Sequence, residues 1–189
     1  MVCPHLIHLA SQSPRRRELL EGAGFDVSVV PGRQEPKLAA AGRGAAEAQT
    51  SARAKLPALM DDALVLSADT VVHLNGQCLG KPVDAQGAIH MLHLLSGQTH
   101  QVTTAVAFRS PKGVHEFLST SSVSFRVLSR AEIELYVASG EPMDKAGGYG
   151  IQGRGAGLVK HVEGCHTTVV GLPLPETLRQ LASFGVVPR

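Results

Sequence analysis

At 189 residues, 43% hydrophobic and 18% charged, the chain fits one domain, large enough to bury roughly 70% of the surface its unfolded form would expose. The lack of any apolar run of about 18 residues excludes a membrane-spanning helix. A formal charge of +2 with no Trp and two Tyr supplies neither the basic face nor the stacking platforms of a stable nucleic-acid partner.

The first ten residues carry no basic segment followed by a long apolar core, so no secretory signal is read and the cytoplasm is the expected compartment. Cys3, Cys78 and Cys165 are odd in number, widely spaced and form no C-x-x-C pair, which argues against both a disulfide scaffold and a zinc site.

In chain order, the apolar run 6–10 reads as a strand, and Ser13-Pro14 supplies an N-cap and a first-turn proline for a helix stopped by Gly22 and Gly24. Residues 25–30 read as a second strand. Loop composition over 31–44 precedes an Ala-rich helix over 45–60 and a buried strand over 63–68. Strands at 71–74 and 77–79 flank Asn75-Gly76, a strong hairpin signal. A helix over 84–95, long strands at 101–109 and 114–127, and a helix opened by the Ser129/Glu132 capping box follow. Residues 158–162 and 167–170 read as final strands and 175–184 as a closing helix. The alternation predicts an α/β fold with a mixed sheet and flanking helices, one domain over 1–189.

Basic side chains gather near turns: Arg15 and Arg16 at a helix start, Lys55 late in a helix, Lys81 before Pro82. Ser11, Ser13 and the first-turn amides form an anion site beside the two arginines, although a solvated helix start reads equally well. Asp69 follows a buried run, at the end of a strand, where an isolated carboxylate is costly unless paired or metal-bound. Capping the turn or pairing with Lys81 would satisfy it as well. Glu35 lies in a polar loop as a solvated charge or an oxygen ligand for magnesium. Residues 144–157 contain six glycines around Tyr149, Ile151, Gln152 and Arg154, a loop that lets backbone approach a ligand closely. It fits neither the dinucleotide fingerprint nor the P-loop pattern. His90 and His93 share a helix face without a third ligand at metal spacing, so no zinc is assigned.

Taken together, LASQSPRRREL, SADTVVHLNG with GKP, and DKAGGYGIQG followed by VVGLPL resemble the Maf family of nucleotide pyrophosphatases over nearly the whole chain. The resemblance implies an elongated, ITPase-like α/β molecule with two lobes around a cleft, commonly a homodimer. It also implies hydrolysis of nucleoside triphosphates to monophosphate and pyrophosphate with a divalent cation, Mg²⁺ or Mn²⁺. By the same resemblance Asp69 is the catalytic acid-base residue, Ser11, Arg16, Lys55 and Lys81 line the phosphate site, Glu35 and Asp69 bind metal, and Arg15, Thr70 and Gln152 govern base choice. The DKAGGYGIQG loop resembles the branch acting on dTTP and UTP; the alternatives are the 7-methyl-GTP branch and a nucleotide-binding regulator of septum formation. Two departures bear on the metal site: Gln34 stands where an acidic neighbour of Glu35 is common, and ARAKL lacks the usual Glu before Lys55.

Overall fold

The computed structural model describes residues 5–33, 44–58 and 63–189. Glu35, Gln34 and Cys3 lie outside the described residues. The elements are β1 (Leu6–Leu9), α1 (Pro14–Gly22), β2 (Asp26–Val29), α2 (Gly44–Lys55), β3 (Val65–Leu74), β4 (Gln77–Leu79), α3 (Ala85–Leu95), β5 (Thr99–Ser110), β6 (Gly113–Phe125), α4 (Arg130–Ala138), β7 (Val159–Glu163), α5 (His166–Val170) and α6 (Leu174–Ser183). Between α4 and β7, short 3-10 turns span Glu141–Asp144, Ala146–Gly148 and Gly153–Leu158.

The sheet runs β2-β1-β3-β5-β6-β7, with β4 paired to β3 off that path. β1 is parallel to β2 and β3, whereas β4, β5, β6 and β7 pair antiparallel. The fold class is thus the mixed-sheet α/β arrangement read from the sequence.

Two strands expected to flank Asp69 are one ten-residue strand running through it. The reason is β5, which pairs with β3 continuously from Val65–Arg109 to His73–Gln101, leaving the backbone of Asp69 and Thr70 laddered to Ala105 and Thr104. On the opposite side of β3 the partner changes. β1 pairs at Val65 and Leu66, and β4 takes over at Val72. The short stretch of β3 between them, which carries Asp69 and Thr70, lacks a strand on that side among the described residues, and there the sheet opens.

Strand alternation then sends successive side chains to opposite faces. Val65 packs with Ala48, Ala52 and Leu56 under α2, and Ser67 Oγ donates to the Ala52 carbonyl at 2.6 Å. Leu66 and Ala68 pack with Ile7, Leu20, Phe108 and Leu181 beneath α1 and α6. The small buried residues Ala48, Ser51 and Ala52 let α2 lie close against the sheet, which brings Lys55 to Asp69. A third cluster, including Val72, Leu92, Leu95, Val102, Phe125, Ile133 and Tyr149, fills the region of α3 and α4.

α2 ends at Lys55 rather than near 60, because Pro57 disfavours helical backbone at the residue before it. Residues 167–170, expected as a strand, form α5. Two of their β-branched side chains are engaged in hydrogen bonds, one nearby and one across to the sheet. Thr167 Oγ1 accepts from the Leu174 amide at 2.9 Å, and Thr168 Oγ1 shares a hydrogen bond with Ser119 on the face of β6, so side-chain bonds replace a ladder. Ser13 does occupy the N-cap of α1, but without a side-chain cap bond; the Ser129/Glu132 capping box forms as read.

Candidate active site

A cavity of about 980 Å³ opens at the gap beside β3. Its wall comes from the β1–α1 turn, the inner face of α2, the middle of β3, the residues after β4, and the glycine-rich loop. Ser11, Arg15, Arg16, Lys55, Asp69, Thr70, Lys81 and Gln152 all line it. Of the residues the family resemblance assigns to the site, only Glu35 falls outside the described part of the chain. His90 and His93 are exposed on α3.

Asp69 faces α2. Its Oδ1 accepts from Lys55 Nζ at 2.6 Å, and both side chains are mostly buried, 19% and 12% exposed. Thr70 faces α1 and meets Arg16. That arginine is buried rather than solvated, donating from Nε to the Gly171 carbonyl at 2.8 Å, from Nη1 to Ser11 Oγ at 2.9 Å and from Nη2 to Thr70 Oγ1 at 3.1 Å. Two adjacent arginines thus have different positions: Arg16 ties three segments together, while Arg15 reaches across to Asp144 at 3.5 Å. Burial acts to raise the Asp144 carboxyl, but the hydrogen bond and charge of Lys145, with Arg15, outweigh it and hold the group below its ordinary value.

Residues not singled out from the sequence also line the cavity, among them Arg33, Glu47, Ser51 and Lys145. The signal for Glu47 and Ser51 was present, since residues 47, 51 and 55 recur every four positions and share one face of α2. Six cations face three carboxylates in the described lining, so the cavity favours an anion.

The glycine-rich loop is held from both ends. Glu141 accepts from the Arg154 and Gly155 amides and from the Tyr136 hydroxyl, each at 3.0 Å, and Tyr136 in turn accepts from the Gly150 amide at 3.1 Å. A side chain at Gly155 would collide with the Gly150 carbonyl and the Tyr136 hydroxyl, so the close approach needs glycine there. Gly147 adopts φ +72° with Val72 against it, and its amide donates to the Gly80 carbonyl at 3.0 Å. That bond joins the loop to the segment carrying Lys81.

Under the loop, His100 is 1% exposed, and its Nε2 lies 2.7 Å from the Tyr149 hydroxyl. Burial, with a lesser contribution from His73, lowers its pKa from 6.5 to about 4. The unfolded chain therefore binds a proton between those values that the folded chain refuses. The contribution of His100 to stability should be complete above pH 6.5 and be lost as the pH drops towards 4, on the order of 3 kcal/mol at about 1.4 kcal/mol per unit. Urea melts from pH 7 to pH 4 should show this loss, and His100→Asn should flatten it; an unchanged slope in that variant would assign the loss to other groups.

The fold and the cavity define a mixed-sheet α/β protein with a cation-rich pocket beside a mostly buried aspartate. Residues 6–184 match the family model described as Maf-like protein, and the chain belongs to that family. It is 46% identical over 181 residues to a dTTP/UTP pyrophosphatase of Bacillus velezensis, covering 94% of this chain and 96% of the relative. A protein of the same name from Salmonella typhimurium is 48% identical, with 96% and 94% covered, and one from Moorella thermoacetica is 50% identical, with 94% of each covered. The structure of a Staphylococcus aureus Ham1 protein overlaps 64% of this chain and 71% of its own, with a TM-score of 0.45 and 16% identity.

Proposed function

We propose that the protein hydrolyses nucleoside triphosphates, UTP and dTTP preferred, to the monophosphate and pyrophosphate. The observation that carries this reading is the meeting of Ser11, Arg16, Lys55 and Lys81 with Asp69 in one cavity, in a chain whose relatives are named dTTP/UTP pyrophosphatases.

Asp69, oriented by Lys55, takes a proton from water as its oxygen attacks the α-phosphorus. The bond from that phosphorus to the bridging oxygen breaks, and pyrophosphate leaves with the electron pair. Lys81 and the Ser11 turn hold the departing phosphates, whose growing charge is stabilised by donors already in position. General-base help contributes about 10²–10⁴ in rate, so positioning and electrostatics supply the remainder.

Among the described residues no three His, Cys, Asp or Glu gather as a metal site, so a divalent cation would be held by fewer protein carboxylates. Asp69 and Glu47 both face the cavity, and magnesium characteristically takes one or two carboxylates and completes its shell with substrate phosphates and water. Glu35 stays in the proposal as a further carboxylate. When bound, the cation would neutralise phosphate charge and lower the pKa of water.

The reading is tested by pyrophosphate release from a nucleotide panel with Mg²⁺ or Mn²⁺. UTP and dTTP should lead, CTP should follow and purines should trail. Preference for 7-methyl-GTP over UTP below saturation would place the protein in the other branch. Gln152→Ala should cut efficiency on UTP more than on CTP and compress their ratio by roughly 5-fold or more, the worth of one well-placed hydrogen bond. Equal losses on both would remove Gln152 from base selection.

A further inference from the structure

We propose that Thr104, which lies beneath the cavity and outside its lining, is a specificity-determining positioning residue. It takes the hydroxyl proton of Thr70, so that Thr70 meets the substrate as a hydrogen-bond acceptor suited to the imide N–H of uracil or thymine. This rests on the pyrophosphatase reading and on Thr70 as a base contact.

Four groups in a row constrain one another's protons. Arg16 Nη2, which can only donate, lies 3.1 Å from Thr70 Oγ1. Thr70 Oγ1 lies 2.8 Å from Thr104 Oγ1, its direct cross-strand neighbour. Thr104 Oγ1 lies 2.8 Å from the Thr168 carbonyl, which can only accept. Each hydroxyl has one proton. Thr104 is fully buried, so no solvent offers it another acceptor, and its proton lies on Thr168. The contact between the two hydroxyls must then use the proton of Thr70. Reversing the order would set two acceptor oxygens against each other at 2.8 Å in a buried site, which disfavours it by about 5-fold or more.

Thr70 thus spends its proton on Thr104 and one lone pair on Arg16, leaving a lone pair for the cavity. Ser11 is set the opposite way by the same guanidinium. Its Oγ accepts from Arg16 Nη1 at 2.9 Å and from the Ser13 amide at 3.3 Å, so both lone pairs are engaged and its proton is left to donate. One buried arginine therefore gives the cavity a donor at Ser11, matched to phosphate oxygen, and an acceptor at Thr70, matched to N–H. Uracil and thymine carry that N–H at the third ring position, whereas cytosine carries a lone pair there, which Thr70 so oriented repels. The Thr168–Gly171 turn is fixed by the same group, since Arg16 Nε holds the Gly171 carbonyl and the Gly171 amide donates to Thr168 at 3.1 Å.

Thr104→Val keeps the shape and removes the acceptor of the Thr70 proton, freeing that hydroxyl to turn and donate. The KM for UTP should rise and that for CTP should fall, compressing the ratio roughly tenfold, and Thr104→Ser should restore it. A purely structural role would move both nucleotides in one direction. Parallel shifts in folded Thr104→Val, verified by circular dichroism, would overturn the proposal. Should that variant fail to fold, the wild-type protein decides with N3-methyluridine triphosphate, which lacks the imide hydrogen: it should bind at least tenfold more weakly than UTP, and equal binding overturns the proposal. Equilibrium binding of UTP, CTP and the methylated nucleotide, with metal chelated, reads the selectivity apart from turnover. Absence of pyrophosphate release would sink the pyrophosphatase reading, while the binding ratios would still decide the role of Thr104.

Discussion

Asp69→Asn is expected to lower turnover about a hundredfold or more while leaving the fold intact. Asparagine keeps the volume of the side chain and an oxygen that can still accept from Lys55 Nζ, now 2.6 Å from the carboxylate. What it removes is the charge that accepts a proton from water. The backbone of residue 69 is laddered to Ala105, which holds the side chain in place whatever its charge. Saturation kinetics with UTP, beside nucleotide binding measured by titration, separate the outcomes. Near-normal affinity with collapsed turnover assigns Asp69 to the chemical step. Wild-type turnover in the folded variant would mean that another group activates the water.

Glu141→Ala is expected to loosen the glycine-rich loop and lower stability by about 2–4 kcal/mol. The carboxylate receives the Arg154 and Gly155 amides and the Tyr136 hydroxyl, and its removal leaves three donors without their partner. Burial acts to raise the Glu141 carboxyl, but the two amides, Tyr136 and Lys145 hold it below its ordinary value, so the charged form is the one the loop binds. For a chain of this length the loss corresponds to roughly 4–16 °C in melting temperature. Gln152 lies between the two ends of this clamp, so well below the melt the KM for UTP should rise more than kcat falls. A melting temperature within about 1 °C of wild type would show that solvent replaces the carboxylate and that the loop is held by other contacts.

The capping box at Ser129, the hairpin at Asn75-Gly76 and the order of strands and helices were legible in the sequence, because each depends on neighbours a few residues apart. The family was legible too, through three motifs long enough that their order and spacing identify it. Local pattern misplaced 167–170, where the β-branched run reads as strand. The face of β5 and β6 decides otherwise by offering side-chain partners such as Ser119. It also split β3 at Asp69, because continuity there is enforced by β5, more than thirty positions along the chain.

The residues of the candidate site were present in the sequence as types near turns, but not their relations. Nothing local distinguishes Arg15 from Arg16. The tertiary structure alone buries Arg16 against Gly171 and Thr70 and sends Arg15 towards Asp144. The sequence by itself determined the α/β class, the family and the residue types that could meet a triphosphate, since these follow from composition, periodicity and motif. Only the tertiary structure decided which cations are engaged, where the sheet opens, and which groups Ser11 and Thr70 meet. Those properties arise from contacts between segments remote in the chain.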